Sequence, residues 1–537
     1  MVTARSTSPE REGLSARHSN MALPVISAIL FVLIFPITAV DFSLWPLVFV
    51  CLVPLVRVCD SPLTLGWKAF GGFIWGALIA IGIAYWLFYA MVWQYGTTVL
   101  TAVVFMILCL MLPHGLLYSA LVSIYSIVRG RSLLSYALVL PSLWVMTDLA
   151  REAIPILVPW ASIGYGLQPW NAYLQAADLG GVYGLSFLAV MANGCIAWLS
   201  RTGGWGDIMQ WLKTRRTAHA GSFIAENRAG IIILLLILIL PPIYGTLRRA
   251  QVRRDTARRI AAGEGVTVTA VQPNFSQRER WSAGGIIDRV ERCLAMSAKE
   301  GIVVWPETVV NAPSLARAEA FRYIRKRAPG PLLIVAGGVR PSRKRDGVYN
   351  TAYLIQKNGQ VLWYDKNILL PYAETAPFGD ILGEYYNAPT EFLVGRTPSA
   401  ARTGAGVTGI SICFEVLYPS HAREAVRRGA GMLINISNDG WFGATSMPIL
   451  HLRQASVRAV ENRRFMVRSS NNGYSAIITP TGEVAARARL FARQSVSAKA
   501  AMLEAESLWL FAGDWVIYLS ALVSLASLCA ALFRKEE

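Results

Sequence analysis

Long apolar runs alternate with short polar connections in the first half of the chain and again at its end, and they predict helices that cross a membrane. An α-helix needs about 20 predominantly apolar residues to span a bilayer. About eight runs approach that length, and those at 43–58 and 133–149 are the shortest. The predicted spans are 22–40, 43–58, 69–92, 99–125, 133–149, 180–200, 230–247 and 508–533.

Basic residues are unevenly distributed over the connections between these spans. The first and third connections, VDFS and WQYGTT, carry no lysine or arginine, whereas the second, fourth and sixth do. Because cytoplasmic loops are enriched in Lys and Arg, the pattern predicts that both termini are cytoplasmic and that residues 248–507 lie on the opposite side. In a bacterium with two membranes that side is the periplasm. The basic residues are Arg57, Lys68, Arg129, Arg131, Arg201, Lys213, Arg215, Arg216 and Arg228, with Arg534 and Lys535 after the last span.

Two segments near the membrane have an unusual composition. The connection at 148–181 is rich in Trp, Pro and Gly and too apolar for a loop in solvent, which favours a location at the bilayer interface. Three pairs of arginines then lie between 248 and 259, directly after the seventh span. They indicate either a solvated helix face or a contact with anionic lipid headgroups, and the sequence leaves both interpretations open.

The pattern changes between about 264 and 505, where short β-rich runs alternate with helical ones. This alternation predicts an α/β domain, and about 240 residues are enough for a core of its own. The predicted strands lie in VTVTAVQPNF, GIVVWPE, PLLIVAGGV, TAYLIQ, GVTGISICFE, GMLINISND and FMVRSSNNGYSAIITP, and the predicted helices are 283–300, 313–328, 419–429 and 448–463.

Composition and charge exclude several classes of protein. Only 16% of the residues are charged and 54% are hydrophobic, whereas soluble domains average about 25% charged. The net charge of +18 is compatible with nucleic-acid binding, but no basic groove pattern supports it and anionic lipid accounts for it equally well. The seven cysteines form no CxxC pair and the five histidines form no cluster, so we expect neither disulfides nor a metal site.

Three residues with the chemistry of nucleophilic catalysis lie at the ends of strand-like runs. Glu307 ends GIVVWPE, Cys413 lies near the end of GVTGISICFE, and Lys366 follows LWYD. The carboxyl ends of strands are where open α/β sheets usually bind ligands. A thiol with an ordinary pKa near 8.5 needs a base or a cation to become a nucleophile. Glu307 could take the thiol proton, while Lys366 and the N–H after Cys413 could hold an oxyanion.

Each of these residues also has a purely structural interpretation. Free cysteine is among the most buried residue types, so Cys413 taken alone is better explained as an inert core residue than as a nucleophile. Glu307 could cap a helix after Pro306, and Lys366 could be an ordinary loop residue. Spacing alone does not bring the three together.

Four motifs together resemble the nitrilase superfamily, which has a Glu-Lys-Cys triad: WPET, YDKNILLPYAE, ICFE and NISNDGWFG. The succession of SNDGWFG, HLRQASVRAVENRR and VRSSNNGYSAIITPTGEV is similar to the apolipoprotein N-acyltransferases, a membrane-embedded branch, and so is ADLGGVYGLSFL. The resemblance covers the chain after its first twenty residues. It implies a multi-pass helical membrane domain of about eight spans, with a nitrilase-like αββα sandwich inserted before the last span.

The resemblance assigns roles to individual residues. It makes Glu307 the general base, Lys366 the oxyanion-stabilising residue and Cys413 the nucleophile. Glu374 and Glu415 match acidic residues near the nucleophile and are expected to position Lys366 and a water-free pocket. The remaining matched residues, for which we expect supporting roles around the pocket, are Phe414, Asn350, Asn438 and Trp441.

The family's reaction supplies further expectations. Cys413 would take an acyl chain from the sn-1 position of a phospholipid as a thioester, and the α-amine of a diacylglyceryl-cysteine apolipoprotein would then accept it as an amide. The partners are therefore membrane phospholipid, apolipoproteins and the bilayer; neither cofactor, metal nor nucleic acid is implied, and we expect a monomer in the inner membrane.

The chain departs from the family pattern at three places beside the pocket. Phe414 stands where the family usually has Tyr, Ala373 replaces a Gly, and the helix ends in ENRRF. We expect these changes to affect the choice of substrate rather than the acyl chemistry.

Other functions remain open at this point. A nitrilase-like membrane protein of conjugal transfer, a membrane-tethered amidase that releases ammonia, and a non-catalytic scaffold would each use a similar sequence.

The predicted organisation is a cytoplasmic tail (1–21), a membrane domain with about seven spans (22–247), a periplasmic catalytic domain (248–507), the last span (508–533) and a cytoplasmic C-terminus (534–537).

Overall fold

The computed structural model describes most of the chain. The described residues are 9–130, 132–157, 159–201, 218–276, 279, 285–311, 314–342, 347–375 and 392–533. Arg131, Lys213, Arg215, Arg216, Arg534 and Lys535, whose charges contributed to the predicted orientation, lie outside these ranges.

Helices dominate the chain up to residue 264, and several of them contain π-helical or 3₁₀ turns. The α-helices are Pro9–Leu33, Val53–Asp60, Leu65–Ala84, Trp86–Tyr89, Val99–Phe105, Leu112–Val128, Leu140–Ala153, Asn171–Leu174, Ala177–Arg201 and Ala218–Arg259. The π-helical segments are Ala90–Gln94, Met106–Met111, Ser135–Val139 and Ile260–Glu264, and the 3₁₀ helices are Trp45–Phe49 and Ile163–Leu167.

Five described helices are long and apolar enough to cross a membrane: Leu65–Ala84, Val99–Val128, Ala177–Arg201, Ile224–Glu264 and Trp515–Phe533. The chain is therefore a membrane protein. The other three predicted spans fall on shorter elements. The first coincides with the apolar helix Met21–Leu33, the second with a 3₁₀ turn and an eight-residue helix, and the fifth with a π-helical turn followed by Leu140–Ala153.

A glycine pair bends the membrane helix Ala177–Arg201 near its start. Gly180 and Gly181 have non-helical backbone angles, and Gly181 has φ of +64°. A Cβ atom at Gly181 would lie 2.9 Å from the ring of Trp509. Glycine is required here because the backbone is left-handed and the indole leaves no room for a side chain.

Two mixed six-stranded sheets form the domain after residue 264. One sheet has the strand order β12-β1-β2-β3-β4-β5 and the other β11-β10-β9-β8-β7-β6. The pairs β1/β2, β2/β3, β7/β8 and β8/β9 are parallel and the rest are antiparallel. The strands β1 to β12 are Gly265–Gln272, Ile302–Val304, Leu333–Pro341, Val348–Gln356, Val361–Asp365, Ala400–Thr403, Gly406–Ile412, Met432–Ser437, Phe465–Ser470, Ala476–Ile478, Val484–Arg487 and Gln494–Ala501.

Helices cover the outer faces of both sheets, which gives the predicted αββα layers. Ile286–Ala295 and Ser314–Arg327 share a core with the outer face of the first sheet, including Val303 and Ile334. Their neighbours Val304 and Val335 point the other way, into the core between the sheets, as alternation along a strand requires. The remaining helices are Pro419–Arg427 and Met447–Asn462, with Leu508–Ala512 and Trp515–Phe533 after the last strand.

The helix Met447–Asn462 joins the two halves of the molecule. All its residues are buried, because one side packs on the second sheet and the other on the membrane domain. Gln454 Nε2 donates to the Trp160 carbonyl (2.9 Å), and Asn171 Nδ2 donates to the Thr481 carbonyl (2.9 Å). Residues 159–167, which we predicted at the bilayer interface, are thus buried beneath the catalytic domain. Their aromatic and proline content suits a protein interface as well as a lipid one.

The predicted strands and helices of this domain all have counterparts in the structure, with helix ends that differ by a few residues. Three further strands, β6, β11 and β12, were not predicted, and β5 was noted only as a strand-like run before Lys366. All four lie at the edges of the sheets. Half-buried and exposed residues alternate along most of β12, so its hydrophobic signal is weak.

Five of the six paired arginines engage carboxylates of the protein. Arg248 Nε donates to Asp178 Oδ2 (3.0 Å), and Arg249 and Arg253 both pair with Glu483. Arg258 lies 3.8 Å from Asp255, and Arg259 lies 3.2 Å from Glu264. Contacts within the protein therefore account for these five residues without lipid headgroups.

Asp178 is a buried junction between the membrane helices and the catalytic domain. Its side chain is 1% exposed and accepts hydrogen bonds from Arg463 Nη2 (2.7 Å), Arg248 Nε (3.0 Å) and Tyr244 Oη (2.7 Å). Arg463 is fully buried.

Asp178→Asn should destabilise the folded protein by about 3–5 kcal/mol, because it leaves the buried Arg463 charge without a counter-ion. Thermal unfolding in detergent measures the effect. Asp255→Asn is the matched control, since its ion pair with Arg258 is largely exposed and should be worth less than about 1 kcal/mol. Equal melting temperatures for the two variants would contradict the role of Asp178 as the counter-ion of Arg463.

Candidate active site

The strand directions bring the three candidate catalytic residues to one edge of the sandwich. Glu307 follows β2, Cys413 follows β7 and Lys366 follows β5. β5 runs in the same direction as β3, because both are antiparallel to β4. Glu307 and Lys366 therefore lie at the same end of the first sheet, and electrostatic interactions of Cys413 with both show that the second sheet presents the thiol to them.

Cys413 has the backbone geometry of a residue held in place by its surroundings. It is 7% exposed, has φ of +52° and begins the 3₁₀ turn Cys413–Leu417. A left-handed backbone is unfavourable for a residue with a side chain and is common at functional sites. Burial raises the pKa of the Cys413 thiol to about 12; Glu307 adds to the rise and Lys366 opposes it. The thiol is therefore protonated at neutral pH and requires a base to react.

An unbroken chain of hydrogen bonds links Glu307 to Lys366. Asn350 Nδ2 donates to Glu307 Oε1 (2.6 Å) and to Glu374 Oε1 (2.8 Å), so one amide bridges the two carboxylates. Lys366 Nζ then donates to Glu374 Oε2 (2.6 Å). Asn350 also fixes the lysine backbone, since its carbonyl accepts from the Lys366 N–H (2.8 Å). We expected Glu374 to position Lys366, and the hydrogen bond between their side chains is consistent with that role.

The Lys366 ammonium is held in its charged state. Its side chain is 1% exposed, and burial alone would lower its pKa, but Glu374, Cys413 and Glu307 together raise the pKa above its ordinary value. A permanently charged donor suits the stabilisation of an oxyanion, which gains from charge placed before the reaction begins.

Glu415 acts on the loop that follows Lys366 rather than on its side chain. Glu415 Oε1 accepts from the backbone N–H groups of Asn367 (2.6 Å) and Ile368 (3.0 Å) and from Tyr364 Oη (2.7 Å). Glu415 Oε2 accepts from the Ile412 N–H (2.8 Å), beside the nucleophile. One buried carboxylate thus ties the Lys366 loop to the Cys413 turn.

Phe414 belongs to an aromatic cluster between the two halves of the molecule. Its ring centroid lies 5.6 Å from that of Trp160 and 5.3 Å from that of Tyr418. Trp160 also contacts Trp86, which in turn contacts Phe442. The family's tyrosine hydroxyl is absent here, and the Phe414 ring is almost fully buried.

Asn438 and Trp441 have separate roles after β8. Asn438 caps the 3₁₀ turn Asp439–Phe442, and its Oδ1 accepts from Asn471 Nδ2 (3.2 Å). The indole of Trp441 stacks on Tyr95 of the membrane domain, with ring centroids 5.0 Å apart and an angle of 8° between the planes. These two contacts lie outside the hydrogen-bond chain from Glu307 to Lys366.

A buried ionic network behind the nucleophile was not predicted from the sequence. Asn435 Nδ2 donates to the Cys413 carbonyl (3.4 Å), and Arg468 donates to Asn435 and to Asp439 Oδ2 (2.8 Å). Burial would raise the pKa of Asp439, but Arg468 and His451 hold it below its usual range. The sequence did contain a signal for this network, namely the polar residues in NISND and VRSS. Strands in a protein core are otherwise apolar.

The described residues contain no group of three or more His, Cys, Asp or Glu side chains that could hold a metal ion. The chemistry of the site is built from one thiol, two carboxylates and one ammonium.

Comparisons with known proteins decide the family. Residues 27–195 match the model of the apolipoprotein N-acyltransferase N-terminal domain, and residues 267–506 match that of the carbon–nitrogen hydrolases. An apolipoprotein N-acyltransferase from Geobacter metallireducens is 30% identical over 98% of this chain and 98% of its own length. The chain belongs to the apolipoprotein N-acyltransferase family.

Other relatives in this family match over shorter stretches. The apolipoprotein N-acyltransferase from Allorhizobium ampelinum is 30% identical over 65% of this chain and 64% of its own length. Among solved structures, Saccharomyces cerevisiae Nit3, a member of branch 10 of the nitrilase superfamily, is 18% identical, with a TM-score of 0.35 over 44% of this chain and 90% of its own. The two family models and the Geobacter relative confirm the family predicted from the motifs, the nitrilase-like α/β domain and the acyltransferase class of enzyme.

Proposed function

We propose that Cys413, Glu307 and Lys366 are the nucleophile, general base and oxyanion-stabilising residue of this acyltransferase. The observation that carries the proposal is the continuous link from Glu307 through Asn350 and Glu374 to Lys366, with Cys413 interacting electrostatically with both ends. A base and a cation flanking a buried thiol supply what that thiol lacks.

The first half-reaction takes an acyl chain from a phospholipid. Glu307 removes the Sγ proton of Cys413 while the sulfur attacks the carbonyl carbon of the sn-1 ester. The negative charge that develops on the carbonyl oxygen is stabilised by Lys366 and by the N–H that follows Cys413. The ester C–O bond then breaks, the departing alkoxide takes the proton from Glu307, and lysophospholipid leaves an acyl thioester on the enzyme.

The second half-reaction uses the same groups in the reverse order. The α-amine of a diacylglyceryl-cysteine apolipoprotein attacks the thioester carbonyl and gives a proton to Glu307. Lys366 again stabilises the oxyanion, the C–S bond breaks, and the thiolate of Cys413 recovers the proton. The acyl chain ends as an amide, and the enzyme returns to its starting state.

The proposed orientation places this site on the periplasmic side of the inner membrane. Basic side chains collect at the opposite end of the helices: Arg129 Nη1 donates to Asp60 Oδ1 (2.6 Å), Arg201 Nη1 to Tyr136 Oη (2.5 Å) and Lys68 Nζ to the Cys59 carbonyl (2.9 Å). This agrees with cytoplasmic termini by the positive-inside rule.

The proposed organisation keeps the boundaries set from the sequence: a tail (1–21), a membrane domain (22–247), a catalytic domain (248–507), the last span (508–533) and a C-terminus (534–537). In this organisation the five long helices and three shorter apolar segments together give the proposed total of about eight membrane spans. A monomer is proposed as the working unit.

Transfer to a defined acceptor tests the proposed function. Protein in detergent is incubated with phospholipid labelled in the sn-1 acyl chain and then with a diacylglyceryl-cysteine peptide. We expect labelled N-acyl peptide and lysophospholipid in equal amounts. Labelled free fatty acid with unmodified peptide would indicate water as the acceptor and would contradict N-acyl transfer.

The membrane-tethered amidase and the conjugal-transfer protein are not favoured by the family assignment, since the relative from Geobacter metallireducens that matches 98% of this chain is an apolipoprotein N-acyltransferase. The non-catalytic scaffold does not account for the Glu307–Lys366 link.

A further inference from the structure

The position of Glu374, and with it that of Lys366, depends on one tight turn. The Glu374 N–H donates to the Leu370 carbonyl (2.9 Å), and the Tyr372 N–H donates to the Thr375 carbonyl (2.8 Å). The side chain of Glu374 also stabilises the turn. Its Oε2 accepts hydrogen bonds from the Leu370 N–H (2.8 Å) and from Lys366 Nζ. Any movement of this turn moves the carboxylate that pairs with the lysine.

Tyr372 is the strained residue of the turn. Its φ is +65°, in the left-handed region that favours glycine. A non-glycine residue adopts this backbone only where its surroundings hold it there. The contacts of the Tyr372 side chain therefore decide whether the turn keeps its shape.

The membrane span Val99–Val128 supplies two such contacts. The ring of Tyr372 meets the ring of Phe105 edge to face, with centroids 4.8 Å apart and planes at 86°. The thiol of Cys109 also interacts electrostatically with the Tyr372 side chain. Phe105 and Cys109 are four residues apart, so they share one face of the helix.

The contact lies where the regular helix changes to π-helical geometry. Val99–Phe105 is α-helical and Met106–Met111 is π-helical, and π-helical segments are frequent at functional sites. The neighbouring side chains Val104, Ile107 and Leu108 are 44–55% exposed on a span that has lipid around it. This stretch of helix thus presents an apolar surface suited to lipid and also contacts the turn that carries Glu374.

We propose that Phe105, Cys109 and Tyr372 form a positioning contact through which the span Val99–Val128 holds Glu374, and thereby Lys366, in place for acyl transfer. The three are positioning residues and do not touch the reacting atoms. The inference rests on the proposed role of Lys366 in stabilising the oxyanion.

The test is a double-mutant cycle on the full-length enzyme in detergent. Phe105→Leu and Tyr372→Leu are compared singly and together for the rate of thioester formation from labelled phospholipid. We expect each single variant to lower the maximal rate about tenfold, since small displacements of catalytic groups have effects of this order or larger. The KM for phospholipid should change less than about twofold, as expected when ground-state binding is intact.

Non-additivity and the pH profile separate positioning from general destabilisation. The double variant should be no slower than the slower single one, because both remove the same contact. Glu374 raises the pKa of the buried Lys366, so loosening their pair should lower that pKa. The alkaline limb of the pH–rate profile then moves to lower pH. Tyr372→Phe keeps the ring contact and should retain most of the rate.

The matched control is Trp67→Leu, which removes one ring of an aromatic pair with Phe70 (6.0 Å, 73°) on another membrane helix. It should leave both the rate and the pH profile unchanged. The proposal is overturned if wild type forms the thioester and the Phe105 and Tyr372 variants match it, or if their effects add and leave the pH profile in place. A wild-type enzyme that forms no thioester would instead overturn the proposed function.

Discussion

Glu307→Gln should slow the formation of the acyl-enzyme by about 10²–10⁴-fold, the usual contribution of a general base. Burial raises the pKa of Cys413 to about 12, and Lys366 opposes this rise only in part. At pH 7 only about one molecule in 10⁵ would carry the thiolate without help, by the ordinary relation between pH and pKa. The base must therefore accept the proton during the attack.

The Glu307→Gln variant is informative because it preserves the local structure. The side-chain carbonyl of the introduced glutamine can still accept the hydrogen bond that Asn350 Nδ2 donates to Glu307 Oε1 (2.6 Å), so only the proton-accepting capacity is removed. Glu300→Gln, the same chemical change at an exposed site, is the control and should label at the wild-type rate. A Glu307→Gln rate within tenfold of wild type would show that another group removes the thiol proton.

Lys366→Met should lower the rate of thioester formation by about 10²–10³-fold, the range measured when one oxyanion donor is removed. Methionine fills similar space without the charge. The lysine is the cation that opposes the rise in the pKa of Cys413, so its loss also makes the thiolate harder to form. Single-turnover labelling from an sn-1-labelled phospholipid measures the change.

A second variant distinguishes catalysis from folding. In Lys366→Met alone, the largely buried Glu374 carboxylate loses the cation that lies 2.6 Å from it, and a charge without a counter-ion destabilises the protein. Lys366→Met combined with Glu374→Gln removes both charges and should recover thermal stability while staying inactive. Recovery of labelling in the double variant would mean that the lysine serves the fold and not the reaction.

The candidate triad could be proposed from the sequence because short motifs at the ends of strand-like runs carry the family resemblance. WPET, YDKN and ICFE each follow an apolar run, and the carboxyl ends of parallel strands meet at one edge. The resemblance also placed Glu374 beside Lys366, and the structure pairs the two side chains. Asn350, which bridges the two carboxylates, was predicted only as a supporting residue of the pocket.

The contacts between the two halves of the molecule could not be predicted from the sequence. The segment 159–167 has the composition of an interfacial loop, yet helix Met447–Asn462 covers it. The ionic junction at Asp178 and Arg463 joins residues 285 positions apart. Apolar periodicity shows that a face is buried and does not show which surface covers it, so lipid and protein are not distinguished.

The measurement that tests the central claim most directly is the identification of the acylated residue. Wild type, Cys413→Ala and Cys293→Ala are incubated in detergent with sn-1-labelled phospholipid, digested and analysed by mass spectrometry. Cys293 is also a buried free cysteine of the catalytic domain. We predict a hydroxylamine-sensitive acyl group on the Cys413 peptide of wild type and Cys293→Ala, and none on Cys413→Ala. Folded wild-type protein without an acyl group on Cys413, or with an acyl group that persists in Cys413→Ala, would contradict the account.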